Sequence, residues 1–188
     1  GYTAQSAARA AETRTLVQQL LPEFPGSAVL DADGLNAAAD LLRAGQRLPH
    51  PKGELIVTPH PGEMARLTGL PAGEIHADRE GTALRFAREW DAVVVLKGAR
   101  TVIAAPDGRC RVNPTGNPGL SRGGSGDVLA GMTSALLACG LPAFEAAACA
   151  VWLHGAAADR AAAKHGEYGM LPHDLFQELG ILFAENDR

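Results

Sequence analysis

NPTGNPGLSRGGSGDVLAG, residues 113–131, is rich in glycine and continues without a break into a helical pattern. Glycine adopts positive φ angles easily and lets backbone N–H groups approach a ligand without interference from a Cβ atom. The first N–H groups of a helix have no intrahelical partner and lie at the positive end of its dipole. A glycine loop that leads directly into a helix is therefore typical of a site for a phosphate or a developing oxyanion.

This loop differs from the two most common phosphate-binding motifs, because it contains neither GxxxxGK[ST] nor GxGxxG. The carboxylate of Asp127 at the helix start has the wrong sign for a simple phosphate cradle. It could instead take a proton from a hydroxyl group that attacks the phosphate. Two alternatives stay open at this point: Asp127 could only stabilise the helix dipole, and the loop could be a turn without a ligand.

Strand-like and helix-like patterns alternate along the rest of the chain, which predicts a parallel sheet flanked by helices. Pro106-Asp107-Gly108 is a strong turn signal and predicts a hairpin between two short strands. The patterns predict strands within 27–33, at 55–57 and at 92–98, and helices at 6–21, at 35–42, from Gly62-Glu63, and at 79–90, 127–139, 143–164 and 172–184.

Polar residues follow each predicted strand, and ligands of such sheets bind beyond the carboxyl ends of the strands. These residues are Asp31 and Asp33, Thr58 and His60, and Lys97 and Gly98. Lys97 could hold a nucleotide phosphate or be a surface lysine, and His60 could contact a substrate or complete a rigid turn between two prolines. For Asp33 we favour the role of a helix cap.

Three further residues have a structural interpretation. His154 lies within an alanine-rich helix and is expected to be packed or to cap, and Trp90 and Trp152 are expected to be core aromatics.

Composition indicates one ordinary globular domain over residues 1–188, with 46% hydrophobic residues, 20% charged residues and a net charge of −4. Lysines and arginines are scattered, which argues against a nucleic-acid binder. Cys110, Cys139 and Cys149 have no metal-site or disulfide spacing, which favours a reducing compartment. We therefore expect a cytoplasmic protein without a membrane span.

The beginning of the chain, GYTAQSAARAAETRTLVQQLL, has no Met and enters a helical pattern at once. Leu16, Val17, Leu20 and Leu21 are predicted to share one face of that helix. We expect that this chain lacks N-terminal strands of the complete fold.

Five phrases, taken together and in this order, are far more specific than any one of them. They are VLDADGLN (29–36), IVTPHPGEMARL (56–67), VVLKGARTVIAAPDG (94–108), the glycine-rich stretch 113–131, and AVWLHGAAAD (150–159). From about residue 27 to its end, the chain resembles the ADP- or ATP-dependent NAD(P)H-hydrate dehydratases of the ribokinase-like superfamily.

The resemblance implies a three-layer α/β fold and an enzyme of metabolite repair. Such a lyase restores NADH or NADPH from the S-epimer of its hydrated form, NAD(P)HX. A nucleotide phosphorylates the ring hydroxyl, and phosphate then leaves. The resemblance favours ADP over ATP as the phosphoryl donor, with both left open. It further implies Mg²⁺ as cofactor with unknown ligands, a homo-oligomer of four or more subunits, and a separate NAD(P)HX epimerase as functional partner.

The resemblance also assigns roles to residues. Asp127 would be the catalytic base and would contact the substrate together with His60 and Gly1. The nucleotide would bind at Lys97, Gly98, Ala99, Arg100, Thr101 and Gly126, and the anion hole would comprise Gly123, Gly124, Ser125 and Gly126. Two rival functions stay open: a vitamin-precursor kinase of the same superfamily, and a nucleotide-binding regulatory protein without turnover.

Overall fold

The computed structural model describes residues 4–186 and contains eight α-helices and five strands in that range. The helices are α1 Ala4–Thr15, α2 Asp33–Arg43, α3 Pro61–Thr68, α4 Ala72–Ala77, α5 Arg79–Trp90, α6 Ser125–Ala138, α7 Ala143–His165 and α8 Asp174–Asn186. The strands are β1 Ala28–Leu30, β2 Leu55–Val57, β3 Val93–Leu96, β4 Val102–Ala104 and β5 Cys110–Val112. The π-helical turn Leu16–Leu20 and the 3₁₀ turns Leu21–Glu23 and Pro118–Leu120 complete the regular structure.

The five strands form one sheet in the order β1-β2-β3-β4-β5. The pairs β1–β2 and β2–β3 are parallel, whereas β3–β4 and β4–β5 are antiparallel. Two successive reversals mean that β5 runs in the same direction as β1 to β3. The mostly parallel sheet predicted from the sequence is therefore confirmed, and only β4 runs the other way.

Alternating side chains of the strands enter two separate cores, because neighbouring residues of a strand point to opposite faces of the sheet. Leu55 and Val57 pack into the core beneath α2, α3 and α5, whereas Ile56 between them packs against α6 and α7. A third cluster joins α7 to α8. The predicted three-layer α/β architecture is thus confirmed.

The direction of the strands brings one end of each to the same edge of the sheet. A polar residue directly follows each strand that runs this way: Asp31 after β1, Thr58 after β2, Lys97 after β3 and Asn113 after β5. The N–H group of Asn113 donates to the carbonyl oxygen of Thr101 at 2.8 Å, which joins the neighbouring loops. The predicted convergence of polar residues on one rim follows from this topology.

Four interpretations of single residues were wrong. Trp152 is 42% exposed, although Trp90 is buried as predicted. Leu16 and Leu20 are 52% and 59% exposed where the helix passes into a π-helical turn, whereas Val17 is buried and Leu21 packs against the core.

Asp33 does not cap α2. Residue Ala32 occupies the cap position without a side-chain bond, and Asp33 is already the first helical residue. No helix within residues 4–186 combines the length and apolar character that crossing a bilayer requires.

Candidate active site

A cavity of about 570 Å³ opens at the carboxyl edge of the sheet. Its wall consists of the loop 97–101 after β3, the segment 113–118 after β5, the beginning of α6 and one face of α7. Of the residues predicted from the sequence, His60, Lys97, Gly98, Ala99, Arg100, Thr101, Ser125 and Gly126 line it.

Arg79, the first residue of α5, supports the loop 97–101 from below. Its guanidinium donates to the carbonyl oxygens of Leu96 at 2.9 Å and Lys97 at 3.3 Å, and also to that of Ala99. Gly98 has φ +147°, and a Cβ atom there would lie 3.0 Å from Arg79 Nη2. The loop therefore needs both a glycine and a planar, multiply donating side chain in this place.

Lys97 is paired with carboxylates. Its Nζ lies 2.7 Å from Asp31 Oδ1 and 3.8 Å from Glu63 Oε2, and all three side chains are largely buried. The interpretation of Lys97 as a free surface lysine is thus wrong. Its charge is already balanced by Asp31, which is itself bound to Lys97 rather than to a helix terminus.

His60 completes a rigid turn, and both of its ring nitrogens face groups of that turn. Its Nδ1 accepts the N–H groups of Gly62 at 3.0 Å and Glu63 at 3.2 Å, which caps α3. The Glu63 carboxylate accepts the His60 backbone N–H at 2.8 Å in return, and this forms a capping box. The other ring nitrogen, Nε2, lies 3.5 Å from Glu63 Oε1 on a half-exposed side chain, so a ligand that bonds Nε2 would share it with the Glu63 carboxylate.

The glycine loop presents free N–H groups at the beginning of α6. The N–H groups of Gly123, Gly124 and Gly126 have no acceptor within residues 4–186, whereas that of Ser125 donates to the carbonyl oxygen of Arg122 at 3.2 Å. Gly124 has φ +95°, so its backbone favours glycine. These donors lie at the positive end of the helix dipole, where an anion is stabilised.

Gly126 faces the ion pair behind it. A Cβ atom on Gly126 would lie 3.6 Å from Asp31 Oδ2 and 3.7 Å from Lys97 Nζ. A side chain at position 126 would therefore point towards this ion pair, and both Gly126 and Lys97 line the cavity.

His154 supports the beginning of α6 from α7 and is buried as predicted. Its Nε2 lies 3.0 Å from the carbonyl oxygen of Ser125 and donates to it. Burial lowers the pKa of the His154 imidazole to about 4, although the hydrogen bond to Ser125 opposes this shift. His154 is therefore neutral at physiological pH.

Asp127 lies in the first turn of α6 and is exposed. Its carboxylate has no hydrogen-bond or ion-pair partner among the residues that the structure describes. This position is compatible both with a base that awaits a proton and with an acidic residue that stabilises the dipole. Gly1, the remaining predicted substrate contact, lies outside the described residues.

The segment 113–119 is attached to α7 by hydrogen bonds. The Asn113 amide donates to Thr115, and the Thr115 hydroxyl donates to the carbonyl oxygen of Trp152 at 3.0 Å. Asp159 accepts from Gly116 and Asn117, each at 2.9 Å.

Sequence reasoning missed the contributions of Arg79, Glu63 and Asp159. A cation in the first turn of a helix opposes the dipole, so Arg79 was a local anomaly that could have been noticed. Asp159 ends the phrase 150–159, but nothing in the sequence indicates which distant loop it contacts.

The described residues offer few side chains that could bind a metal ion. Within the described part of the chain, no group of three or more His, Cys, Asp or Glu side chains is arranged to hold a metal ion. Mg²⁺, however, is commonly bound by one or two carboxylates together with substrate phosphates and water. Asp31 Oδ2, beside Gly126, fits that requirement.

Comparison with known proteins is consistent with this geometry. The chain is 52% identical over 167 residues to the bifunctional NAD(P)H-hydrate repair enzyme Nnr of Moorella thermoacetica, covering 89% of this chain and 31% of that protein. A structure of the ADP/ATP-dependent NAD(P)H-hydrate dehydratase from Bacillus subtilis, co-crystallised with ATP/Mg²⁺, is 40% identical with a TM-score of 0.76, covering 85% of this chain and 55% of that one.

A ribokinase-like superfamily protein from Enterococcus faecalis is 27% identical with a TM-score of 0.78, covering 98% of this chain and 60% of that one. The fold is thus ribokinase-like, and the chain spans less than two thirds of each of these three proteins. Residues 7–180 match the sequence model of a family described as NAD(P)H-hydrate dehydratase. With most of its length matched, this chain belongs to the NAD(P)H-hydrate dehydratase family.

Proposed function

We propose that the protein to which this chain belongs dehydrates the S-epimer of NAD(P)HX to NAD(P)H at the expense of a nucleotide, preferably ADP. The observation that carries the proposal is that Gly126 lines the cavity and approaches Lys97 and Asp31, while its N–H group has no acceptor among residues 4–186. A donor at a helix start in a partly enclosed site stabilises the charge that develops on a transferred phosphoryl group.

In this mechanism Asp127 accepts the proton of the ring hydroxyl as its oxygen attacks the terminal phosphoryl group of ADP. The P–O bond to the leaving AMP breaks, and the substrate carries a phosphate ester. The ring C–O bond then breaks, phosphate leaves with the bonding electron pair, and the adjacent carbon loses a proton to form the double bond. The assignment of Asp127 as base comes from the family resemblance. Its carboxylate is exposed and has no partner among the described residues, and it directly follows Gly126, which lines the cavity.

The other predicted residues would bind the two substrates. The N–H groups of Gly123, Gly124 and Gly126 would hold the phosphoryl oxygens, and the loop 97–101 would bind the nucleotide phosphates. His60, whose ring orientation is fixed by its two bonds at Nδ1, would contact NAD(P)HX through its Nε2, which lies 3.5 Å from Glu63 Oε1. Such preorganisation lowers the entropic cost of binding.

Mg²⁺ would be held by the nucleotide phosphates together with Asp31, and when bound it offsets phosphate charge. We further propose a cytoplasmic homo-oligomer that works beside a separate epimerase. The metal, the compartment, the oligomer and the epimerase come from the family resemblance, whereas Asp31 is proposed because its Oδ2 lies beside Gly126.

Recovery of absorbance at 340 nm from the S-form hydrate of NADH, with ADP or ATP and Mg²⁺, tests the proposal directly. Release of inorganic phosphate separates it from the rival kinase, which would leave a stable phosphate ester. Asp127→Asn should abolish turnover while nucleotide binding persists, because the amide cannot accept the hydroxyl proton. Full activity in that variant would refute the assignment of the base.

A further inference from the structure

We infer that Asp159 is a positioning residue that fixes the segment 113–119 as one wall of the nucleotide cavity. This inference rests on the proposed function. Asp159 Oδ2 accepts the Gly116 N–H and its Oδ1 accepts the Asn117 side-chain amide, each at 2.9 Å. The other side of the Asn117 amide, its Oδ1, accepts the Gly119 N–H at 3.0 Å.

The same face of α7 brings the segment close at Gly155. One helical turn before Asp159, a Cβ atom on Gly155 would lie 2.2 Å from Thr115 Oγ1 and 2.9 Å from the Gly116 backbone nitrogen. The Thr115 hydroxyl reaches the carbonyl oxygen of Trp152 across this gap. Gly155 thus permits the approach. Asn113 and Thr115 bond backbone carbonyl oxygens of α7, and Asp159 adds the two bonds at Gly116 and Asn117.

This segment and the proposed nucleotide loop form one connected wall. The Asn113 N–H donates to the Thr101 carbonyl oxygen at 2.8 Å, and both 97–101 and 113–118 line the cavity. If the segment loses its bonds to Asp159, it adopts the conformation that can bind nucleotide for only a fraction of the time. The apparent nucleotide affinity then falls in proportion to that fraction.

With asparagine at position 117, the hydrogen-bond pattern requires a carboxylate at position 159. In Asp159→Asn the new amide oxygen could accept only one of the two N–H donors, Gly116 or Asn117. The new NH₂ group would then face the other donor. Rotation of the Asn117 amide does not help, because its NH₂ group would then face the Gly119 N–H. Combining Asp159→Asn with Asn117→Asp does satisfy every group. The new amide at position 159 then accepts from Gly116 and donates to the new carboxylate at position 117, which also accepts from Gly119.

The experiment measures the dissociation constants of ADP and ATP with Mg²⁺ by isothermal titration calorimetry. The variants are Asp159→Asn, the exchange Asn117→Asp with Asp159→Asn, and the control Asp107→Asn. Asp107 also accepts one backbone and one side-chain N–H, from Arg109, but it lies at the distant turn of the β4–β5 hairpin. Thermal unfolding of each variant is recorded alongside.

We expect Asp159→Asn to weaken nucleotide binding about tenfold, the size of one lost charge-assisted hydrogen bond. The exchange should restore most of that affinity. Its net charge equals that of the unmodified chain, because it removes one carboxylate and adds another. Asp107→Asn should leave the affinity intact. If the role of Asp159 were merely structural, Asp159→Asn would lower the midpoint of thermal unfolding, and the exchange would not restore the nucleotide affinity.

Two outcomes overturn different claims. If the unmodified chain binds nucleotide and Asp159→Asn binds it equally well, the positioning role of Asp159 is wrong while the proposed function stands. If the unmodified chain binds neither nucleotide, the proposed function fails, and the assignment of this wall to a nucleotide fails with it.

Discussion

Substituting Gly126 by alanine separates the function of the glycine loop from its contribution to stability. The added Cβ atom meets no protein atom closer than 3.6 Å, and the φ angle of Gly126 lies outside the left-handed region. Alanine is the better helix former by up to about 1 kcal/mol. The folded protein should therefore tolerate Gly126→Ala or gain stability from it.

The same methyl group should block the reaction. It would occupy the space between the α6 terminus and the pair formed by Lys97 and Asp31, 3.7 Å and 3.6 Å away, where the proposed phosphoryl group binds. The backbone N–H of residue 126 remains in this variant, but the methyl group would keep the phosphoryl oxygen out of its reach, and losing one such contact of an oxyanion site typically costs roughly a hundredfold in turnover. We expect a loss of at least that size, measured by phosphate release and by recovery of absorbance at 340 nm.

Gly131→Ala is the matched control, because Gly131 lies in the same helix and its Cβ atom would have open space around it. Each variant should raise the midpoint of thermal unfolding by up to about 3 °C, as expected for a chain of this size. Only Gly126→Ala should lose activity. Turnover of Gly126→Ala within about twofold of Gly131→Ala would refute the reasoning, since no transition-state contact would then have been lost.

Three further predictions concern the support of the site. Arg79→Lys should raise the nucleotide KM about tenfold and change kcat less, because one ammonium group cannot bond the carbonyl oxygens of Leu96, Lys97 and Ala99 together. An unchanged KM would exclude the role of Arg79 as a support of the loop 97–101. The pKa of His154 is 6.5 in the unfolded chain and about 4 in the folded one, so the unfolded chain binds the proton first as the pH falls. Between pH 8 and pH 5, urea unfolding should show that wild type loses about 2 kcal/mol more unfolding free energy than His154→Gln. Ala32 has φ +48° and ψ −116°, where glycine is favoured, so Ala32→Gly should raise the unfolding free energy by about 1 kcal/mol; a destabilised variant would show that the turn is not strained.

Much of the fold could be predicted from the sequence, because its signals are local. The apolar run ending at Leu96, the turn at Asp107 and the glycine loop before α6 each determine their own structure through short-range preferences. The burial of Trp90 and the exposure of Trp152 could not be separated in this way. Both are aromatic residues in helical patterns, and only the packing of whole layers decides which side of α7 faces a core.

The site was predictable in its location but not in its individual contacts. Residues after parallel strands meet at one edge by topology alone, so Asp31 and Lys97 were expected near each other. That they neutralise one another depends on a distance of 2.7 Å between side chains 66 residues apart in the chain. No spacing rule contains this information, and the same holds for the contact of Asp159 with Gly116.

The charge balance at the cavity explains why a glycine loop and a metal would both be needed. With Lys97 paired to Asp31 and with Glu63 only 3.8 Å from its Nζ, the three side chains together carry an excess of negative charge. A nucleotide phosphate therefore cannot rely on Lys97 alone, since it would compete with two carboxylates for one ammonium group. Free N–H groups at the start of α6 bind an anion without a countercharge to displace, and a divalent cation at Asp31 would turn the remaining repulsion into attraction. Proposed nucleotide binding should therefore depend more steeply on Mg²⁺ than on the charge of Lys97, so Lys97→Met should retain metal-dependent binding that removal of Mg²⁺ abolishes.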